Sequence, residues 1–331
     1  MIKLSVIIPT RNRAALLKCT LDSIVKQTID QSLFEVIICD NNSTDDTGEI
    51  SHIFAHKFLN FRYEKTIEPG LHVGRNKGFL ESKGDILVYI DDDIEALPEW
   101  LYTINEAFND EDVVLVGGKN LPKWEIPPPD WALQMWAPNQ HGERVCGYFS
   151  IIDLGNEIKA TDPYNVYGCN FSVKKSIINE TKGFHPDGMP QEMIKYRGDG
   201  ESAVSEYIKQ NGYKTIYHPM ASVFHLVSNE RLTIDYLRKR GFNQGVSDSY
   251  TTIRTPKLAS SKRIFIFKST LKKVLYGILN FCKTKPQETV NDFSVWYKAI
   301  DDGHRKGFNF HQQKVKESPE LKAWVMKDNY L

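Results

Sequence analysis

Three short apolar runs that alternate with helical patterns constrain this chain more than any other feature. Residues 4–8 (Leu-Ser-Val-Ile-Ile) read as a buried strand stopped by Pro9, residues 34–39 as a second strand and residues 86–90 as a third. Between them, Leu17, Leu21, Ile24 and Val25 fall at helical spacing within 14–27, and further helices are expected over 45–58 and around 74–83. Strands separated by helices build βαβ units and a parallel sheet. Such sheets bind ligands at the carboxyl ends of their strands. Here each strand end is polar: Thr10-Arg11-Asn12, Asp40-Asn41-Asn42 and Asp91-Asp92-Asp93. One such cluster is explained by a turn or a helix cap. Three on one sheet edge point to a ligand site.

Farther along, Val113–Val116 predicts another strand. Residues 121–150, rich in proline and tryptophan, predict a structured loop. Residues 166–173 and 215–225 read as strands with a helix near 202–211 between them, and the chain turns mostly helical from residue 231. The expected division is a 1–230 α/β domain, with halves 1–115 and 116–230, followed by a helical region 231–331.

The 331 residues carry 42 basic and 42 acidic side chains, 41% hydrophobic and 25% charged residues, which suits a globular protein and gives no signature of nucleic-acid binding. The zero sum is segregated. Residues 251–285 hold nine basic side chains and no acidic one, whereas the first 250 residues carry 26 basic against 35 acidic, a net of −9. Within the basic segment Leu271, Val274, Leu275, Ile278, Leu279 and Cys282 share one helical face. Such a helix either rests on an anionic membrane surface or docks on the α/β domain or a second subunit. Five cysteines without a C-x-x-C pair suit reduced thiols. With no apolar run long enough to span a bilayer and no signal-peptide core, the expected location is cytoplasmic, at most peripheral at the inner face of the cell membrane.

Three adjacent carboxylates repel one another, and a divalent cation offsets that repulsion. Oxygen ligands select Mg²⁺ or Mn²⁺, and Mg²⁺ binds through one or two carboxylates plus substrate phosphates. The alternative for Asp93 is a turn or a cap on the helix over 98–108, which needs one carboxylate and not three. Asp40 at a strand end can accept the N3–H of uracil or thymine, and Arg11 can lie against a base or meet a phosphate. Together they suggest a pyrimidine nucleoside diphosphate, UDP or dTDP.

The segments Ser5–Asn12, Val36–Asp45, Gly70–Gly78 and Ile90–Asp93, in that order and spacing, resemble the nucleotide-sugar-binding half of GT-A glycosyltransferases of family 2. The resemblance covers about residues 1–230 and implies a mostly parallel mixed sheet flanked by helices. It also implies an inverting, metal-dependent transfer from a UDP-sugar to a hydroxyl of a glycan or lipid-linked acceptor. Pro9, Thr10 and Arg11 would line the base and ribose pocket, with Asn42 beside Asp40 and Arg75 approaching the nucleotide. Asp92 would lie near the ribose or donor sugar, Asp93 on the metal, and Asp91 in a more structural place at the same edge. His225 would complete the metal site, and Asn170 would contact donor sugar or acceptor. The general base falls to Glu201, with Asp199 as the alternative; either could instead serve as a helix cap. Trp124, Trp131 and Trp136 either stack on an acceptor sugar or pack their proline-rich loop. A nucleotidyltransferase and a non-catalytic sugar-nucleotide-binding protein are the competing readings. The first lacks its expected Gly-rich basic loop after the first strand.

Overall fold

The computed structural model describes residues 1–255 and 290–331. The basic amphipathic stretch 271–282 lies outside the described residues. The chain runs β1 (Leu4–Thr10), α1 (Ala14–Ile24), β2 (Phe34–Asp40), α2 (Thr47–Ala55), β3 (Phe61–Lys65), α3 (Leu71–Glu81), β4 (Ile86–Ile90), β5 (Ile94–Ala96), α4 (Trp100–Ala107) and β6 (Val113–Gly117). It continues through β7 (Asn120–Trp124), α5 (Asp130–Met135), β8 (Arg144–Cys146), β9 (Ile151–Asp153), β10 (Lys159–Ala160), β11 (Asn170–Lys174), α6 (Lys175–Glu180), α7 (Glu201–Gln210), β12 (Lys214–Tyr217) and β13 (Val223–Val227). Helices α8 (Ile234–Arg254), α9 (Val290–Glu317) and α10 (Pro319–Val325) follow.

An eight-stranded sheet has the order β10-β12-β6-β11-β4-β1-β2-β3. Its β4-β1-β2-β3 half is parallel, and β11 enters antiparallel to both β4 and β6. β1 and β2 are buried at every position, as strands covered by helices on both faces must be. The apolar clusters on the two faces centre on Ile8, Val36 and Trp100 and on Ile7, Tyr89 and Phe171. α3 lies close against β1, because a Cβ at Gly78 would stand 2.2 Å from Ile7 Cγ2.

A second sheet, ordered β5-β13-β7-β9-β8, grows out of the first. β5 begins one residue after the acidic triplet and pairs antiparallel with β13, setting His225 opposite Ile94. This pairing, with Leu226 N–H donating to Asp93 O at 3.0 Å, brings His225 to the triplet.

Several boundaries differ from the expected ones. β3 was not foreseen, since Phe-Arg-Tyr-Glu-Lys at a half-buried edge alternates weakly. The 215–225 segment is two strands in two sheets, broken at His218–Ser222. The 166–173 strand starts only at Asn170. The proline-rich stretch contains β7, α5 and β8, and its tryptophans pack: Trp124 and Trp131 ring centroids lie 6.0 and 6.2 Å from that of Phe149, and Trp136 is 7% exposed in the same cluster.

α8 and α9 cross through glycines on both sides. A Cβ at Gly241 or Gly245 would meet Ile300 O or His304 O at 2.3 or 2.0 Å, and one at Gly303 or Gly307 would meet Arg238 O or Phe242 O at 2.1 or 2.0 Å. Gly245→Ala is expected to destabilise the fold by about 3 kcal/mol, since overpacking against backbone outweighs the ~1 kcal/mol that Ala gains over Gly in a helix. Thermal melting would show a Tm lower by several degrees; an unchanged or raised Tm would contradict the close crossing.

Candidate active site

The β1–β2 register sets Thr10 beside Asp40, and the acidic triplet follows the neighbouring strand β4. All three predicted clusters therefore share one sheet edge. Two asparagines in left-handed backbone, Asn12 (φ 52°) and Asn42 (φ 58°), turn the chain out of β1 and β2, a conformation Asn tolerates. Asn12 joins these turns: its N–H donates to Ser43 Oγ at 2.8 Å and its Oδ1 accepts from Thr44 N–H at 2.7 Å. Asp40 is 1% exposed. It accepts from Ser43 N–H at 2.8 Å and from Tyr63 OH at 2.5 Å, and each oxygen keeps a second lone pair. Pro9 is buried, whereas Arg11 and Asn42 are exposed at the rim.

The triplet carboxylates have distinct environments. Asp92 accepts from Thr10 Oγ1 at 2.7 Å and from Arg13 Nη1 at 2.6 Å; burial pushes its carboxyl up to about 6 against the pull of Arg13. Asp93 lies beside two guanidinium groups, with Arg231 Nη2 at 2.9 Å and Arg13 Nη1 at 3.2 Å from Oδ2, and has His225 Nε2 at 3.4 Å from Oδ1. Burial alone would raise its pKa, but His225, Arg231 and Arg13 hold it well below the usual carboxylate range. Asp91 is the most open of the three, at 31% side-chain exposure, with Arg75 Nη2 3.7 Å away. Burial nonetheless raises its pKa. Asp91 thus keeps part of its carboxylate open at this edge, where the resemblance implied a nucleotide-sugar-binding position of a more structural kind.

These residues offer a divalent ion a fitting cradle. Asp93 Oδ1 is buried and has no hydrogen-bond partner among the described residues. Donor atoms of Asp91, Cys169 and His225 lie within 4.8 Å of one another. Carboxylates with one imidazole suit a hard or borderline ion. Burial raises the Cys169 thiol well above its ordinary value, so it stays protonated, accepting from Asn120 Nδ2 at 3.2 Å.

Arg75 joins this edge to the second half. It is 2% exposed, and its Nη1 donates to Glu201 Oε2 at 3.0 Å while Nη2 faces Asp91. Glu201 opens α7, with 29% of its side chain exposed. Asp199, two residues earlier, is sealed: His185 Nδ1 lies 2.6 Å from Oδ1 and Thr251 Oγ1 donates to Oδ2 at 2.7 Å. Burial would raise its pKa, but the bond and charge of His185 and the bond from Thr251 pull it below the usual value. A neighbouring pair, Arg197 Nη2 and Asp187 Oδ1 at 2.6 Å, braces the same loop.

Asn170 is misplaced by sequence reasoning. It is 1% exposed, accepts from Trp100 Nε1 at 3.0 Å, and donates to Asn120 Oδ1 at 3.1 Å and Ala221 O at 2.9 Å. Every polar atom is occupied inside the fold, so it ties β11 to β7 and offers nothing to a ligand. Arg13 and Arg231, which hold the carboxylates, were not anticipated. Arg13 directly follows the first cluster and was legible there, while Arg231 carries no local pattern.

Residues 5–180 match glycosyl transferase family 2, more than half of the chain, and the chain belongs to that family. The molecule is a glycosyltransferase of the GT-A fold. Over 255 residues it is 26% identical to a glucosyl-dolichyl phosphate glucuronosyltransferase of Haloferax volcanii, covering 75% of this chain and 76% of that one. Over 315 residues it is 31% identical to a poly(ribitol-phosphate) beta-glucosyltransferase of Bacillus spizizenii, covering 90% of this chain and 44% of that one. A mannosyltransferase from Pyrobaculum calidifontis in complex with GDP-Man and Mn²⁺ shares the fold, with TM-score 0.57 and 17% identity over 98% of this chain and 86% of that one.

Because the Asp199 carboxyl titrates lower in the folded than in the unfolded state, its stabilising contribution is complete above about pH 4 and is lost as pH falls toward its folded pKa. Asp199→Asn should lower Tm at pH 7 and flatten the fall in Tm between pH 5 and 3. Parallel acid limbs for variant and parent would contradict the role given to the His185–Asp199 pair.

Proposed function

We propose that the protein transfers a sugar, with inversion, from a UDP-sugar to a hydroxyl of a glycan or lipid-linked acceptor, using Glu201 as general base and a divalent ion, Mn²⁺ or Mg²⁺, at Asp93 and His225 with Asp91 beside them. The observation that carries the reading is Glu201 itself. It is a part-exposed carboxylate held by a buried arginine that also faces the acidic edge, at 3.0 and 3.7 Å. Asp199 has a hydrogen-bond partner on each oxygen and is the more buried of the two, which favours Glu201 as the base.

In this mechanism Thr10, Asp40 and Asp92 face the nucleoside, with Asp40 accepting the uracil N3–H through a remaining lone pair and Pro9, Arg11 and Asn42 framing the base. dTDP has the same N3–H and is the nearest alternative. A bound ion contributes neutralisation of the diphosphate charge. Arg13 and Arg231 add cations at the same edge. Glu201 takes the proton of the acceptor hydroxyl as its oxygen bonds to the anomeric carbon. The bond from that carbon to the diphosphate oxygen breaks, and its electron pair leaves with UDP. Arg75 fixes the carboxylate for this role. One relative's name carries a dolichyl phosphate, which supports a lipid-linked acceptor. No helix among the described residues is long and apolar enough to cross a membrane.

Glu201→Gln should lower transfer about 10²–10⁴-fold, the usual share of a general base, while UDP with Mn²⁺ still raises Tm as ligands of the folded state do. Asp199→Asn should keep most of its turnover at temperatures where it is folded. Equal losses in both variants would overturn the assignment of the base. In the same thermal-shift format, UDP and dTDP should stabilise the parent with Mn²⁺ and GDP should not. Stabilisation by GDP alone would overturn the uracil-recognising role given to Asp40.

A further inference from the structure

Glu201 also lines a cleft of about 350 Å³. One wall belongs to the C-terminal helices, beyond the residues that match the family. Arg240, Gln244 and Asp248 lie four residues apart on α8 and so share one face, and all three line the cleft together with His304 of α9. The glycine crossing of α8 and α9 sets the geometry, since Gly245 abuts His304 O. His304 Nε2 consequently lies 2.8 Å from Asp248 Oδ2, and Gln244 Nε2 donates to Asp248 Oδ1 at 2.8 Å. Asp248 and His304 keep 30% and 38% of their side chains exposed. Arg240 reaches toward Gly147 O at 3.5 Å, and its Nε is buried with no hydrogen-bond partner among the described residues. The rings of Tyr148 and Tyr167 line the facing wall.

We infer that this α8–α9 wall recognises a neutral sugar unit of the acceptor and sets acceptor specificity. A sugar ring presents apolar C–H faces and a rim of hydroxyls that both donate and accept. Tyrosine rings beside a carboxylate, an imidazole, an amide and a guanidinium match both aspects. The carboxylates of Asp248 and Glu201 outnumber the single guanidinium of Arg240 in the cleft lining, which favours a hydroxyl-rich unit over an anionic lipid headgroup. The inference rests on Glu201 as the base, because a sugar seated on this wall presents a hydroxyl to that carboxylate.

The test uses the full chain with UDP and Mn²⁺ on an array of immobilised oligosaccharides, followed by kinetics with the best-bound oligosaccharide free in solution as acceptor. The parent should bind a subset of the array. Asp248→Ala, His304→Ala and Gln244→Ala should each raise the acceptor KM, by about tenfold for the first two, the scale of lost hydrogen bonds, with kcat at saturating acceptor moving much less and the donor KM unmoved. His304→Gln, which keeps an Nε donor, should recover most of the loss. A merely structural role for the pair would move Tm and kcat without this split. Acceptor KM values unchanged in all three alanine variants, or a parent that UDP and Mn²⁺ stabilise but that binds no oligosaccharide, would overturn the inference. A parent that UDP and Mn²⁺ do not stabilise fails earlier, at the donor reading, and the inference falls with it.

Discussion

A guanidinium buried to 2% exposure cannot stand unpaired, and the two partners of Arg75 tie together the halves of this enzyme. Asp91 belongs to the edge built by β1, β2 and β4, while Glu201 opens α7 in the second half. The charge of Arg75 is therefore satisfied only when both halves are in place, so the position of the base is coupled to that of the acidic edge. α3, which carries Arg75, is held against β1 by the close approach at Gly78. A larger residue there would displace the helix, and Arg75 with it.

The acidic edge follows the same rule with more charges. Asp92 and Asp93 are buried and stand beside Arg13, Arg231 and His225, drawn from the start of α1, the segment after β13, and β13 itself. Each partner comes from a different stretch of chain, and β13 of the second sheet supplies one of the three, His225. Cations inside an acidic cluster reduce its self-repulsion before any ligand arrives. Among the described residues, Asp93 Oδ1 is the one buried carboxylate oxygen at this edge without a hydrogen-bond partner. The C-terminal helices complete the arrangement through Asp199, whose bond from Thr251 of α8 anchors the loop before Glu201.

Much of the parallel core was legible in the sequence, because strands buried on both faces read as unbroken apolar runs with polar ends. β1, β2 and β4 and the clusters after them belong to that class. β3 was not legible, since an edge strand facing solvent loses both the run and the alternation. At the site, residue type at a strand end identified Asp40, Asp92 and Asp93 as members of the edge, and the family resemblance added His225, which lies mid-strand in β13, but neither reported which way a side chain points. Asn170 has the right type and the right place, yet its amide turns inward to Trp100, Asn120 and Ala221. Of the two carboxylates at 199 and 201 the sequence favoured Glu201, and the partners His185 and Thr251 on Asp199 support that choice. Arg231 lies 138 positions from Asp93, and a lone arginine carries no pattern that would announce the contact.

The central claim is that Asp93 and His225 hold a divalent ion together with a nucleoside diphosphate beside Glu201. Electron paramagnetic resonance of Mn²⁺, titrated into the protein with and without UDP, measures this without relying on turnover. The account predicts that a single Mn²⁺ per chain loses its free-ion signal far more tightly when UDP is present, and that Asp93→Ala abolishes this while retaining a cooperative melt. Equal Mn²⁺ binding by Asp93→Ala and parent, or no UDP-dependent binding by the folded parent, would contradict it.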